Sequence, residues 1–274
     1  GITKLYLVDP DEKKVAVVAE SIKTLDVSVN PVLPESAVDA VLVCTPPEHH
    51  FTAASLWNKP TLVEKPWGDT GKWKELGKDR VLKATMNLRF HLGPAHIRAG
   101  MGESSPVLAR CWYSFKGPRE KGGSDAEMGP LYSALHDLDA MLWATRSRFR
   151  SKDFVKAGKL EGVLVGEAET VQGQRFPLLF NADFLAPSRR RGCWVVTDIG
   201  QELEWEATGE PYQNSGYETL RVGKRTREYP VNLMYVDLLV EFWALVRGQR
   251  TETWLPDAWE VAELGQVPQE PWYM

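Results

Sequence analysis

Two short constellations in this sequence carry side chains able to do chemistry. The first is Tyr132, His136 and Asp139, inside the stretch PLYSALHDLDAMLW at residues 130–143. At i, i+4 and i+7 these three share one face of a helix. They stand beside an apolar stripe of Leu131, Leu135, Leu138 and Leu142. A helix offering a phenol, an imidazole and a carboxylate along one face can line a cleft. The second constellation is a pair of strand-end marks, Thr45-Pro46-Pro47 and Glu64-Lys65-Pro66. Each follows an apolar run, at residues 40–44 and 61–63, and a helix-compatible segment at 48–57 lies between them. Strand, short helix and strand make a βαβ unit, and such units build parallel sheets. Ligands of open parallel sheets collect beyond the carboxyl ends of the strands. The site is expected there.

The elements that position these groups follow in order. Residues 4–9 read as a strand ending in an acid, Asp9. Pro10-Asp11 opens a helix to about residue 20, with proline at its first position. Residues 25–29 alternate as a short strand, and 81–86 form another that leads into Asn87. A short helix at 96–101 stops at Gly100 and Gly102, and 107–115 is rich in β-formers. Glycines and charges make 117–129 a loop before the helix of His136. Strands are expected at 162–171, 176–185, 193–198 and 202–207, then an amphipathic helix at 235–247 ending at Gly248. The tail, with Pro256, Pro268 and Pro271, reads as irregular. The fold class is α/β: an incomplete Rossmann-type parallel sheet in residues 1–88, then an α+β domain in 89–274 with a large, mostly antiparallel open sheet.

Composition sets milder bounds. A chain of 274 residues, 43% hydrophobic and 26% charged, can bury a good core in two domains. Its net charge of −4 gives no reason to expect a nucleic-acid or membrane partner. Three scattered cysteines, Cys44, Cys111 and Cys193, read as reduced thiols of a cytoplasmic protein. No segment has the length and apolarity of a membrane span, and no signal peptide is evident.

The stretches TPPEHHFTAASLWNKPTLVEKP, NLRFH and GPLYSALHDLDAMLW resemble, in order and spacing, the glucose–fructose oxidoreductase and inositol dehydrogenase family (Gfo/Idh/MocA). The resemblance covers roughly residues 1–247. It implies an NAD- or NADP-binding Rossmann domain, a second domain whose open sheet serves substrate and homo-oligomer contacts, and a sugar, cyclitol or related polyol substrate. It places Lys65 at the family's EKP lysine, facing nicotinamide and substrate, with Lys65-Pro66 a cis peptide. Asn87 falls near the nicotinamide end of the cofactor and His136 at the catalytic histidine. Asp9, Thr45, Pro46 and Glu64 complete the cofactor contacts. Hydride removal from an alcohol needs a base for the hydroxyl proton and a positive charge for the developing alkoxide. Histidine and lysine suit these roles.

Two departures qualify the transfer. Where the family has an aspartate four residues before the histidine, this chain has Tyr132, which can orient a substrate hydroxyl but carries no counter-charge near neutrality. Within the 274 residues no GxGxxG turn joins a strand to a helix, so the usual phosphate cradle is not found. A parallel sheet without that first strand should open; either the chain is truncated or neighbouring elements close the gap. The alternative to an oxidoreductase is then a catalytically inactive, cofactor-free descendant that binds a sugar-like ligand, or an oligomeric structural protein. Asp9 has a second reading as a helix cap, and Asn87 as a turn residue. His49-His50 reads as structural. His136 with Asp139 has metal-ligand spacing but no further ligand pair, so no metal is expected. Arg189-Arg190-Arg191 reads as a solvated loop or edge, with a substrate carboxylate or phosphate as its alternative partner.

Overall fold

The structure, a computed structural model, describes residues 2–30, 33–65, 70–78, 80–116, 134–157, 161–208, 217–222, 224–230 and 233–249. The chain divides into two compact units, residues 1–39 and 40–274. In the first, β1 (Lys4–Leu7) and β2 (Asp26–Val29) pair in parallel across helix α1 (Glu12–Ser21). Asp11 caps α1, accepting from the amides of Lys13 and Lys14. Pro10 therefore lies before the cap and not at the first helical position, because a carboxylate at 11 satisfies the orphan amides of the first turn.

In the second unit, β3 (Val41–Val43), β4 (Thr61–Val63) and β5 (Leu82–Ala84) form a three-stranded parallel sheet. A 3-10 turn, Pro47–His49, leads into α2 (His50–Ser55), and α3 (Thr70–Leu76) follows β4. Val43, Ala54, Val63, Trp73 and Ala84 share one core, with Phe51 edge-on to Trp73 at 5.2 Å between ring centres. The parallel strands thus fall in two sheets, one in each unit.

Beyond β5 a 3-10 turn, Asn87–Phe90, passes into α4 (Leu92–Met101). This helix starts earlier than its sequence suggests. Pro94 sits in the first turn, where no amide is needed, and His91 caps the end by accepting from the Gly93 amide at 3.1 Å. The Trp205 indole N–H also reaches His91 Nδ1, at 3.4 Å. The indole lies so close to the helix that a Cβ on Gly93 would fall 1.1 Å from its Nε1. Glycine at 93 is therefore the condition for docking α4 on the large sheet.

Among the described residues that sheet has eight strands: β6 (Pro106–Lys116), β7 (Ser147–Ala157), β8 (Glu161–Thr170), β9 (Arg175–Asp183), β10 (Leu185–Thr197), β11 (Glu202–Thr208), β12 (Tyr217–Val222) and β13 (Arg225–Pro230). Their order is β13-β12-β11-β10-β6-β9-β8-β7. Among the described ladders of this sheet, only the β6–β9 pair is parallel. Helices α4 and α5 (Leu135–Ala144) cover one face, where Ile97, Leu138 and Leu142 meet Cys111, Phe180 and Val195. Helix α6 (Leu233–Val246) joins the small sheet through Leu238 and Phe242 on Leu62. Beside them Lys83, 1% exposed, pairs with Glu241 at 3.2 Å.

The arginine triplet is neither loop nor edge. It lies in β10, between β11 and β6, where period-two alternation buries Arg189 and largely buries Arg191 while Arg190 faces outward onto Glu206. Among the described residues, no helix is long and apolar enough to cross a membrane.

Gly93→Ala is expected to cost about 3 kcal/mol or more, the upper range for overpacking a close contact. Urea denaturation measures it; a loss under about 1 kcal/mol would contradict the contact with Trp205.

Candidate functional site

The site is built where β4 and β5 end and α5 begins. Past β4, the Glu64 amide donates to Val43 O at 2.9 Å, and the Thr85 amide donates to Val63 O at 3.1 Å. These bonds carry the sheet beyond its strands and fix the backbone of Glu64-Lys65. The Glu64 carboxylate accepts from the Lys65 amide at 3.2 Å. At the end of β3, Thr45 and Pro46 are exposed. The turn they make is held from below: buried His50 donates Nε2–H to the Thr45 carbonyl at 2.6 Å. His50 is thereby committed to structure.

Asn87 opens the turn after β5 and is 7% exposed. Its side-chain Oδ1, like the Thr85 hydroxyl two residues earlier, is buried with no hydrogen-bond partner among the described residues. Two orphaned polar atoms at one strand end are an uncommon cost, about 1–3 kcal/mol each if nothing answers them. They mark a place for a polar ligand group.

The same turn is locked to α5. Arg89 and Asp139, 3% and 0% exposed, form a two-pronged ion pair: Nε to Oδ2 at 2.6 Å and Nη2 to Oδ1 at 2.5 Å. Asp139 therefore does not line the cleft beside His136; its carboxylate is turned into the joint. A fork-to-fork pair fixes orientation as well as distance. It sets the helix of His136 against the turn of Asn87.

His136 itself has a buried Nδ1 without a hydrogen-bond partner among the described residues. Burial drives its pKa well below the usual imidazole value, and the nearby Lys65 ammonium and Arg191 guanidinium push it further down. Lys65 and His136, which stand in different motifs of the sequence, are thus brought into one electrostatic neighbourhood. Arg191 belongs to it too. Its Nε lies 3.4 Å from Asp137 Oδ1 and its guanidinium 5.2 Å from the Tyr113 ring centre. Asp137, at 0% side-chain exposure, faces the sheet, and its charge joins burial in raising the pKa of the Cys111 and Cys193 thiols.

The remaining expectations divide. Tyr132 and Pro66 lie outside the described residues. Asp9 is in the first unit, where its Oδ1 accepts from the Asp11 amide at 2.7 Å and its amide donates to Asn30 Oδ1 at 3.0 Å. It shapes the turn into α1, while Asp11 supplies the cap. No group of three or more His, Cys, Asp or Glu among the described residues could hold a metal. Sequence reading missed Arg89 and Thr85, and it read Arg191 as part of a solvated loop or edge with a substrate anion as its alternative partner. For Arg191 a signal existed: running the alternation back from Val195 and Cys193 puts residue 191 on the same face.

No protein-family model matches the sequence, and no curated protein matches it. Solved structures do match in fold. UDP-N-acetylglucosamine 3-dehydrogenase GnnA from Acidithiobacillus ferrooxidans is 16% identical with a TM-score of 0.68, over 94% of this chain and 86% of that one. A levoglucosan dehydrogenase in complex with NADH and levoglucosan is 14% identical with a TM-score of 0.68, over 95% and 86%. Myo-inositol dehydrogenase from Lactobacillus casei, in complex with NAD(H) and myo-inositol, is 13% identical with a TM-score of 0.61, over 95% and 84%. The chain shares the fold of Gfo/Idh/MocA-type dehydrogenases.

If the Arg89–Asp139 pair is the joint of the site, Arg89→Met or Asp139→Leu alone should destabilise by about 3–5 kcal/mol, since each strands a buried charge. The double variant should recover most of that loss in a double-mutant cycle. Two small, additive losses would contradict the joint.

Proposed function

We propose that this chain is a member of the Gfo/Idh/MocA family and an NAD(P)-dependent oxidoreductase acting on a hydroxyl or carbonyl of a sugar or cyclitol. The observation that carries the reading is the neighbourhood of His136: an imidazole held neutral, with an ammonium close by, beside a strand-end turn that carries an orphaned amide oxygen. A neutral imidazole can take the hydroxyl proton on a ring nitrogen. Lys65 supplies positive charge for the alkoxide that develops as the proton leaves. Tyr132, four residues ahead of His136, orients the substrate hydroxyl. In the reverse direction His136 returns the proton to the carbonyl oxygen.

NAD or NADP, when bound, supplies the hydride acceptor or donor. Asn87 Oδ1 fits its carboxamide, whose N–H groups need an acceptor, and Thr45, Pro46 and Glu64 border the same strand ends. Asp9 is the proposed ribose contact. These residues answer the nicotinamide end of the cofactor. Residues 1–88 are proposed as the nucleotide-binding domain and 89–274 as the substrate and oligomerisation domain of a cytoplasmic homo-oligomer. The outer face of the large sheet, with Trp112 and Trp194, supports the oligomer. The rival reading is a cofactor-free protein that binds a sugar-like ligand without hydride chemistry.

Calorimetric titration with NADH and NADPH separates the two. The oxidoreductase reading expects binding at micromolar Kd, about 8 kcal/mol. It also expects polyol-dependent reduction of NAD(P) that drops about 100-fold or more in His136→Gln, the scale of general-base catalysis. No heat at millimolar cofactor would overturn it in favour of the cofactor-free binder.

A further inference from the structure

The outer face of the large sheet, turned away from α4 and α5, carries a cavity of about 410 Å³. Small-molecule sites occupy about 300–1,000 Å³. Ala109, Cys111 and Tyr113 of β6 and Phe180 and Ala182 of β9 fill the core, so alternation sends Arg110, Trp112, Ser114, Asn181 and Asp183 to the outer face. Register sets Asn181 beside Trp112 and Asp183 beside Ser114, with Arg190 on the other flank of Ser114. Between Leu185 and Arg190, β10 slips its register against β6, and Ala186 and Ser188 from that irregular stretch complete the wall.

The groups around this cavity are not all spent on one another. Trp112 is half-buried and leans over β10: a Cβ on Gly192, its partner across the ladder, would lie 2.7 Å from Cζ2. The Asn181 Oδ1 is buried with no hydrogen-bond partner among the described residues, a cost until a donor reaches it. Asp183 gives one carboxylate oxygen, Oδ1, to the Leu185 amide at 2.6 Å, and its second oxygen adds acceptor capacity. Arg110 is exposed beside the indole, its guanidinium 5.8 Å from the ring centre, and has no ion pair among the described residues. Arg190, by contrast, is tied to Glu206, Nε to Oε1 at 2.7 Å. The two guanidiniums of Arg110 and Arg190 are thus matched by the two carboxylates of Asp183 and Glu206, and the local charge sums to zero.

We propose that this cavity is a second ligand site, separate from the one proposed for catalysis, and that it takes an uncharged sugar ring. The C–H face of the ring lies on the Trp112 indole, one hydroxyl donates to the Asn181 amide oxygen, a neighbouring hydroxyl donates to the Asp183 carboxylate, and Arg110 donates to a ring or hydroxyl oxygen. A hydroxyl both donates and accepts, so one neutral ring answers every group on the wall. Charged ligands fit worse. A carboxylate or phosphate drawn to Arg110 would also face Asp183 and Glu206, and an ammonium drawn to Asp183 would face the two guanidiniums. An apolar platform with a few convergent polar groups is the common make-up of a small-molecule site. The proposal does not depend on hydride chemistry, since the cavity lies on the face away from His136.

The test follows the Trp112 indole N–H by NMR, assigned with Trp112→Phe, while glucose, glucosamine, glucuronate and open-chain glucitol are added in turn without NAD(P). Glucose is expected to shift this signal saturably, with a millimolar or tighter Kd. Glucitol, which has no ring face, should bind at least about fivefold more weakly, and neither charged sugar should bind more tightly than glucose. Asn181→Leu should weaken glucose about fivefold, the scale of one neutral hydrogen bond. Asp183→Asn, which keeps an acceptor for the Leu185 amide, should weaken it as well, with folding of both variants checked by circular dichroism. Because the same face bears the proposed oligomer contacts, light scattering follows assembly throughout. No shift of the Trp112 signal with glucose, binding unchanged in both variants, or a charged sugar bound about tenfold or more tightly than glucose would overturn the proposal. So would a loss of binding that merely tracks a change of assembly.

Discussion

The buried pair of Arg89 and Asp139 is the constraint on which the arrangement of the site depends. Fifty positions apart in sequence, the two residues join the turn after β5 to the helix of His136 through two short hydrogen bonds. Neither group can be left alone in so dry a place, so the fold must bring both elements together or stay open. The pair fixes what the chemistry needs: a strand end carrying Asn87 and a helix carrying His136, held in one orientation. Gly93 and Trp205 serve the next joint along, seating α4 on the sheet that α5 also covers.

Around this joint the protein arranges charge in layers. Asp139 neutralises Arg89, Asp137 answers Arg191, and Lys83 meets Glu241 under α6. Each is an ion pair between elements far apart in the chain. Burial, and after it the charges of Lys65 and Arg191, favour the neutral form of His136. The sign of the stability linkage follows. A histidine whose folded pKa is depressed contributes fully above its ordinary value near 6.5 and loses that contribution as pH falls toward the folded value. Acid is thus expected to loosen the centre of the site before the sheet.

Much of the frame was legible because it rests on local patterns. The apolar runs at β3, β4 and β5, each closed by proline or a polar turn, announced a parallel sheet. Leu135, Leu138 and Leu142 announced a buried helix, and the β-rich stretches at 162–171, 176–185, 193–198 and 202–207 announced the second sheet. What escaped depends on distant partners. No strand is expected over charge-rich β7, yet as an edge strand it presents Arg148 and Arg150 to Glu169. The helix is expected only from residue 96, although Gly93 admits an indole and Pro94 suits a first turn. Arg191 reads as surface because its carboxylate lies on another element. Asp139 was placed in the cleft because helical spacing shows which residues share a face but not what a neighbouring turn will claim.

The enclosure of His136 favours the uncharged imidazole at neutral pH, fit to accept a proton. Following its ring resonances by NMR through a pH titration, assigned with His136→Gln, tests this directly. The expected midpoint lies well below the usual value of about 6.5 and rises when Lys65 is replaced by methionine. A midpoint at or above that value, unchanged in Lys65→Met, would contradict it.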